Sequence, residues 1–295
     1  MDDIPDGWHK KYDEFWNGTQ CGVAMKQKLK SVSFPDGGFY IMRHGDLFMI
    51  LDCVPFYPGA PSGHKHNSRL SFELFAYDKS FIIDPGTCIY TADKEMRNLF
   101  RSTRYHNTVV VDCKEQNRFD EDDLFSLKPD SFVKMNRWIS ADKYDLFDGE
   151  HRGYARLKYP VIHRRRIRFN KEKGYWVIKD TLVGEGEHNF SLYFHFAPLE
   201  IELDKDFPLV AKTRTKGANL AIIPLEIEGV TPEILDGWVS YRYGIKMEAP
   251  IVRYSKKCHV PTSFCNIIYP YKEDIDISMI RQNMQYGESP EFGSV

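Results

Sequence analysis

The sequence predicts an all-β protein, a large antiparallel β-sandwich with more than ten strands in two packed sheets. Three observations favour this class. Short runs rich in β-branched and aromatic residues recur along most of the chain, with Gly, Pro, Asn or Asp between them. Aromatic residues make up 14% of the chain, and their rings suit half-buried strand faces. Neither an internal repeat nor a low-complexity segment interrupts this pattern.

The elements follow a simple order. Residues 1–30 predict a short helical or linker segment, residues 31–280 one β-sandwich domain, and residues 281–295 a tail. The only later helical pattern is TADKEMRNLFRSTR, residues 91–104. Residues 114–153 are acidic and rich in loop-forming residues, and they show no clear strand. The predicted strands lie in SVSF, GFYIMRH, LFMILDCV, LSFELFA, SFIID, HNTVVVD, VIHRRRIRF, GYWVIKDTLVG, HNFSLYFHF, LVAKTRT, ANLAIIPLEI, WVSYRYGIKM and SFCNIIYP.

The composition limits the function classes. The net charge is −2, which gives no global field to attract nucleic acid. No apolar run is long enough for a transmembrane helix, and the first residues lack a signal-peptide pattern. Six cysteines without a CxxC pair predict mostly buried free thiols rather than a disulfide scaffold.

His64, His66, Asp84 and His106 lie near the ends of predicted strands. Histidine nitrogens and aspartate oxygens are ordinary zinc ligands, and residues two apart in an extended chain share a face. The pattern fits a three-ligand metal site, a catalytic histidine, or ordinary strand residues, and spacing alone leaves these open.

The hairpin between LSFELFA and SFIID decides which face Asp84 occupies. A three-residue loop pairs Ala76 with Ser80 and puts Asp84 opposite Phe72, on the face of His66. A two-residue loop turns Asp84 to the other face unless a bulge corrects the register.

Four blocks, GHKHNSRLSFEL, IIDPGT, RNLFRSTRYHNTVVVD and EQNRF, together resemble the β-sandwich domain of the heparinase II/III-like polysaccharide lyases. The resemblance extends over about residues 35–270. It implies zinc held by His66, Asp84 and His106, with His64 facing the substrate and taking part in proton abstraction. The implied reaction is β-elimination on a uronic-acid-containing polysaccharide, in the periplasm, at the cell surface or after secretion.

The chain departs from this family in two ways. Asn67 and Ser68 stand where the family often has an aspartate after its second histidine. These lyases also carry an α/α-toroid domain ahead of the β-domain, and it supplies a catalytic tyrosine. The resemblance therefore implies such a partner domain, and little or no activity for this chain alone.

Two basic groups are candidates for binding an anionic polysaccharide. Arg97, Arg101 and Arg104 follow an i, i+4, i+7 spacing, which gives them one helix face. Arginine binds carboxylate and sulfate groups in a bidentate manner. Alternate arginines of HRRRIRF form a second row, at Arg164, Arg166 and Arg168. The competing interpretation of both groups is a solvated face or structural ion pairs.

Two other functions compete with the lyase. A non-catalytic carbohydrate-binding module would use zinc only for stability. A cupin-like metal oxygenase would use an HxH pair with a glutamate and a later histidine. The spacing from His66 to Glu73 is wider than that pattern requires, so the oxygenase is disfavoured.

Overall fold

The computed structural model describes residues 29–55 and 63–286, and it confirms the all-β class. The predicted helical segment at residues 1–30 lies almost entirely outside the described residues. The helices are α1 Lys94–Arg101 and α2 Ile277–Tyr286, with a 3₁₀ turn at Thr103–Tyr105. The strands are β1 Val32–Phe34, β2 Phe39–His44, β3 Leu47–Asp52, β4 Phe72–Ala76, β5 Lys79–Ile82, β6 Val109–Val111, β7 Val133–Ser140, β8 Tyr144–His151, β9 Val161–Asn170, β10 Tyr175–Gly184, β11 Glu187–His195, β12 Ile201–Leu203, β13 Ala211–Thr213, β14 Asn219–Pro224, β15 Thr231–Arg242, β16 Ile245–His259 and β17 Thr262–Tyr271.

The described strands form three antiparallel sheets, which make two layers. An eight-stranded sheet has the order β12-β13-β14-β17-β10-β9-β8-β7. A five-stranded sheet, β1 to β5, meets a four-stranded sheet, β15-β16-β11-β6, through a bridge between Ile82 and Phe196. The amide of Ile83 donates to the carbonyl of His195 at 2.9 Å, which strengthens this junction. One core cluster takes buried side chains from all three sheets, so the joined pair faces the eight-stranded sheet.

Strand β9 shows why the pattern predicted the fold. Its burial alternates strictly, with the odd-numbered residues inside and the even-numbered residues half-buried on the outer face. The predicted division of HRRRIRF into two faces is therefore confirmed. Arg165 and His163 fall on the inner face and are fully buried.

The hairpin between β4 and β5 combines both alternatives for its register. Ala76 pairs with Lys79 across a two-residue loop, and both loop residues have positive φ, 51° at Tyr77 and 65° at Asp78. A bulge then makes Leu74 pair with Ile82 instead of Phe81. The extra residue returns Asp84 to the face that a three-residue loop would have given it.

Helix α1 lies inside the predicted segment 91–104. Asp93 caps it by accepting a hydrogen bond from the amide of Met96 at 2.9 Å. No helix in the described ranges is long and apolar enough to cross a membrane. The five cysteines of the described ranges are free thiols, and three of them, Cys53, Cys88 and Cys265, are buried.

Two features differ from the sequence interpretation. Residues 114–153 contain β7 and β8, which the acidic composition concealed. Carboxylates of β8 are buried because they pair with cations on the next strand and its turn, as Asp145 does with Lys171 at 2.7 Å. Helix α2 crosses the expected start of the tail at residue 281, and its Ile277 and Ile280 pack into a second apolar cluster with residues of β10, β14 and β17.

Candidate functional site

The fold brings His66, Asp84 and His106 together from three separate segments. His66 precedes β4, Asp84 follows β5, and His106 lies between the 3₁₀ turn and β6. Nε2 of His106 is 3.3 Å from Nδ1 of His66 and 3.5 Å from Oδ2 of Asp84. All three ligand atoms lie within 4.8 Å of one another. Three acceptor atoms converging in this way make a candidate metal centre.

The donor set fits a tetrahedral zinc ion. Two nitrogens bound at tetrahedral Zn–N lengths are roughly 3.3 Å apart, which matches the separation of the two imidazoles. Nδ1–H of His106 donates to the carbonyl of Ser102 at 2.8 Å, so its Nε2 lone pair faces the cluster. His106 is fully buried, whereas His66 and Asp84 keep partial exposure.

His66 is held on its other side by two donors. Its Nε2 lies 3.1 Å from Nη1 of Arg97 and 3.0 Å from Oγ1 of Thr87. Burial, and then the neighbouring side chains of His106 and Arg97, lower the pKa of His66 well below its ordinary value. The imidazole is therefore neutral, which is the form that binds a metal.

Asp84 sits in a turn that only glycine completes. The amide of Gly86 donates to Oδ1 of Asp84 at 2.8 Å, which leaves Oδ2 directed at His106. Gly86 has φ 76°, and a Cβ atom there would lie 2.5 Å from the carbonyl oxygen of Ser240. This close approach explains the DPG sequence.

His64 lies outside the three-residue cluster and is exposed. Its Nδ1 is 3.2 Å from the hydroxyl of Tyr90, whose ring it meets edge-on. Tyr90 stacks on the exposed Tyr243, with ring centroids 5.5 Å apart. The guanidinium of Arg97 lies over the ring of Tyr90 at 5.2 Å, and it links the His64 surface to His66.

The structure separates the three arginines near α1. Arg97 and Arg101 are each only 1% exposed. Arg97 donates to the carbonyls of Leu124 and Gly63, at 3.1 and 2.9 Å. Arg101 donates to carbonyls of residues 120–126 and lies 4.1 Å over the ring of Phe119. Both buried arginines anchor the covering loop.

Arg104 belongs to the 3₁₀ turn, beyond the end of α1, and is exposed. Its direct contact with substrate stays a prediction, as it does for Arg97 and Arg101. The row on β9 is balanced by neighbouring groups: Arg164 forms a bidentate pair with Asp148, and Arg168 packs over Tyr144. These pairs favour the structural interpretation of that row.

Asn67 and Glu115 form a polar link that the sequence interpretation did not assign. Nδ2 of Asn67 donates to Oε2 of Glu115 at 2.8 Å and to the carbonyl of Asn117 at 3.0 Å. The amide of Asn117 donates back to Oδ1 of Asn67 at 3.0 Å. The same Glu115 oxygen accepts from the amide and hydroxyl of Thr103, at 2.6 and 2.7 Å. The carboxylate near His66 is therefore that of Glu115, in the EQNRF block. The residue after His66 must donate a hydrogen bond to this carboxylate, as Asn67 does.

His195, between Phe194 and Phe196 at the end of β11, is buried. The 3₁₀ turn covers it, and its Nε2–H donates to the carbonyl of Arg104 at 3.0 Å. Burial lowers the pKa of His195 to about 3. Alternation along a strand could not reveal this cover.

Comparisons with known proteins match the chain to one family along most of its length. Residues 26–283 match the family described as "Heparinase II/III-like, C-terminal". A heparin-sulfate lyase of Pedobacter heparinus is 27% identical over 252 residues, which cover 82% of this chain and 35% of that protein. A heparin-sulfate lyase of Bacteroides stercoris is 25% identical over 211 residues, covering 70% of this chain and 29% of that protein. The chain thus spans about a third of the length of these relatives.

Solved structures show the same fold. The crystal structure of the heparan sulfate lyase HepC from Pedobacter heparinus superposes with a TM-score of 0.73 at 22% identity. The match covers 92% of this chain and 41% of that one. The structure named heparinase III-BT4657 gene product gives a TM-score of 0.69 at 22% identity, over 83% of this chain and 36% of that one. With a family match over most of its length, the chain belongs to the heparinase II/III-like C-terminal family.

Proposed function

We propose that the chain is the C-terminal β-domain of a polysaccharide lyase. The substrate class is a uronic-acid-containing polysaccharide of the heparin or heparan sulfate type. Family membership and the names of the two curated relatives support this assignment. The observation that carries it is the pairing of an exposed histidine, His64, with the three-ligand cluster under the same surface.

β-Elimination needs a base, an acid and neutralisation of the uronate. The base removes the proton at C5, the C4–O bond breaks, and the leaving oxygen takes a proton. In this proposal His64 removes the C5 proton, because its imidazole is exposed and histidine is the side chain that most often serves as a general base. The product is an unsaturated uronide and a new hydroxyl-ended chain.

Tyr90 bears on the proton position of His64. When Nδ1–H of His64 donates to the hydroxyl of Tyr90, Nε2 carries the free lone pair that a base needs. The exposed Arg104 is the group of the predicted arginine set that remains available to an anionic chain. Arg97 and Arg101 contribute by holding the loop that packs against this surface.

Zinc is part of the proposal, with His66, Asp84 and His106 as its ligands. Their separations and the neutral state of His66 support this choice. Bound zinc would supply a fixed positive charge and a cross-link between three segments. With Nδ1 of His66 as a ligand, the proton of His66 would lie on Nε2, where the hydroxyl of Thr87 would accept it and the guanidinium of Arg97 would have to move away.

A partner domain completes the proposed enzyme. The coverage of about a third of each relative leaves room for a large further domain, and the family resemblance implies an α/α-toroid. We infer that this chain alone has weak or no lyase activity.

The test is lyase activity of the full-length parent protein on heparan sulfate, measured by ultraviolet absorbance of the unsaturated uronide. We expect activity in the parent, and a loss of at least about 100-fold in its His64→Ala variant. His44→Ala, at an exposed histidine on β2, is the matched control and keeps parental activity. Full activity in the His64→Ala parent would rule out the base role.

A non-catalytic carbohydrate-binding module is the second candidate. It is favoured by the way the ligand cluster joins three separate segments, which suits a metal that serves only stability. This candidate predicts heparan sulfate affinity without unsaturated product, even from the full-length parent. The cupin-like oxygenase is not retained, because the chain belongs to a different family and Glu73 is not among the three clustered ligands.

A further inference from the structure

A group of charged and polar side chains crosses the core between the two layers. Arg165 and His163 of β9, Asp180 of β10 and His151 of β8 are each 0% exposed. All four come from the eight-stranded sheet. Burying such groups costs free energy unless each of them is paired and hydrogen-bonded. We call these four residues the buried polar cluster.

The centre of the buried polar cluster is an ion pair. Nε and Nη2 of Arg165 donate to the two oxygens of Asp180 at 2.7 and 2.9 Å. Nε2–H of His163 donates to Oδ1 of Asp180 at 2.6 Å. Burial alone raises the pKa of Asp180, but the charge of Arg165 and the bond from His163 hold it at about 2. The carboxylate is therefore ionised and fixed on two sides.

The two histidines of the buried polar cluster are neutral and form a chain of hydrogen bonds that ends at Asp180. The amide of Gly153 donates to Nδ1 of His151 at 3.2 Å, so the proton of His151 lies on Nε2. That proton is donated to Nδ1 of His163, 3.2 Å away. Burial lowers the pKa of both histidines, in agreement with this arrangement.

The free arm of Arg165 reaches across to the opposite layer. Its Nη1 donates to the carbonyls of Leu70 and Asn107, at 2.5 Å each. Leu70 lies four residues after His66, in the turn closed by the bond from the amide of Ser71 to the carbonyl of Ser68, and it has a left-handed φ of 63°. Asn107 directly follows His106 in the chain. One guanidinium thus ties the segment of the first ligand to the segment of the third.

Asn107 extends the same link to the second ligand. Its Nδ2 donates to the carbonyls of Phe72 and Ile83, at 2.8 and 2.9 Å. Ile83 directly precedes Asp84. Oδ1 of Asn107 accepts a hydrogen bond from the backbone amide of His195 at 2.6 Å, which fixes the junction of the two sheets. Arg165 and Asn107 therefore hold all three ligand-bearing segments.

We propose that Arg165, fixed by Asp180, is a positioning residue that sets the separations of His66, Asp84 and His106. It touches none of the three side chains and acts through the backbone of Leu70 and Asn107. Lysine cannot replace it, because one ammonium group cannot pair with both carboxylate oxygens and also reach two carbonyls. This inference rests on the metal site of the proposed function.

The test compares Arg165→Lys with Arg164→Lys. Arg164 is the neighbouring residue of β9 and also forms a bidentate carboxylate pair, with Asp148, but it lies on the outer face. Zinc affinity is measured by competition with a chromophoric chelator, and stability of the metal-free protein by urea unfolding. We expect Arg165→Lys to weaken zinc binding about tenfold or more. We expect Arg164→Lys to stay within about twofold of wild type.

The outcomes separate positioning from stability. A purely structural role predicts that Arg165→Lys unfolds more easily while its folded form binds zinc with wild-type affinity, and that result would overturn the inference. If Arg165→Lys does not fold, Asp180→Asn is measured against the same criteria, because it keeps the volume but loses the charge that fixes Arg165.

A crystal structure of the metal-free variant tests the inference apart from zinc. If the wild-type protein binds no zinc, the proposed metal site fails, but the distance between Nδ1 of His66 and Nε2 of His106 still reports positioning. We expect this distance to change from 3.3 Å in Arg165→Lys. An unchanged distance would refute the positioning role.

Discussion

At the residue scale, Asn67 shows how one side chain can be specified by its hydrogen bonds. Its amide donates twice and accepts from the amide of Asn117, with Glu115 as the charged partner. The sequence alone marked Asn67 only together with Ser68, as the pair in which the chain departs from a family pattern. The structure gives the reason, because a carboxylate here would face another carboxylate.

Replacing Asn67 by aspartate tests this account. Asn67→Asp removes the donor to Glu115 and adds a second negative charge 2.8 Å away in a buried setting. We expect the free energy of unfolding to fall by about 2 kcal/mol or more, measured by urea unfolding at neutral pH. Asn98→Asp on α1 is the control, because it also loses a donor, to the exposed carbonyl of Glu121, but its oxygen keeps accepting from Arg101 and meets no carboxylate. We expect a change of about 0.5 kcal/mol for this control. Equal stability of Asn67→Asp and wild type would contradict the account.

The arginines mark what residue spacing cannot predict. The i, i+4 spacing correctly gave Arg97 and Arg101 a shared helix face. Whether that face meets solvent or protein depends on the loop at residues 119–126, whose carbonyls accept from both side chains. Such long-range cover leaves no local signal in the sequence.

At the element scale, alternation predicted most strands, and turn chemistry decided the rest. The β4–β5 hairpin needed both a two-residue loop and a bulge to bring Asp84 into phase with Phe72. The sequence left this open because loop length and bulges are not encoded by alternation. Strands β7 and β8 were missed because buried carboxylates on β8 resemble loop composition.

The turn after Asp84 gives an element-scale prediction. Gly86→Ala places a Cβ against the carbonyl of Ser240 at a positive φ, so it strains the turn and displaces Asp84. Gly45→Ala is the matched control, because Gly45 also has positive φ, 56°, but open space around it. We expect the control to cost about 1–2 kcal/mol of unfolding free energy. We expect Gly86→Ala to cost about 1–3 kcal/mol more and to weaken zinc binding. Equal losses in the two variants would contradict the proposed close approach.

At the scale of the whole molecule, the candidate site lies where the five-stranded and four-stranded sheets join. The junction runs through Ile82, Ile83, His195 and Phe196, next to Asp84. The side chain of Asn107 hydrogen-bonds to Ile83 and His195 at this junction, and Arg165 donates to the carbonyl of Asn107 from the opposite layer. The sequence predicted the ligand set through a family resemblance, but spacing alone left a metal site, a catalytic histidine and strand residues equally open.

The metal content of the purified chain tests the central claim most directly. Elemental analysis of wild type is compared with His66→Ala and His106→Ala, and with His44→Ala as a control histidine on β2. The account predicts about one zinc ion per chain in wild type and in the control, and loss of zinc in both ligand variants. Absence of metal from the wild type, or zinc that survives both ligand substitutions, would contradict it.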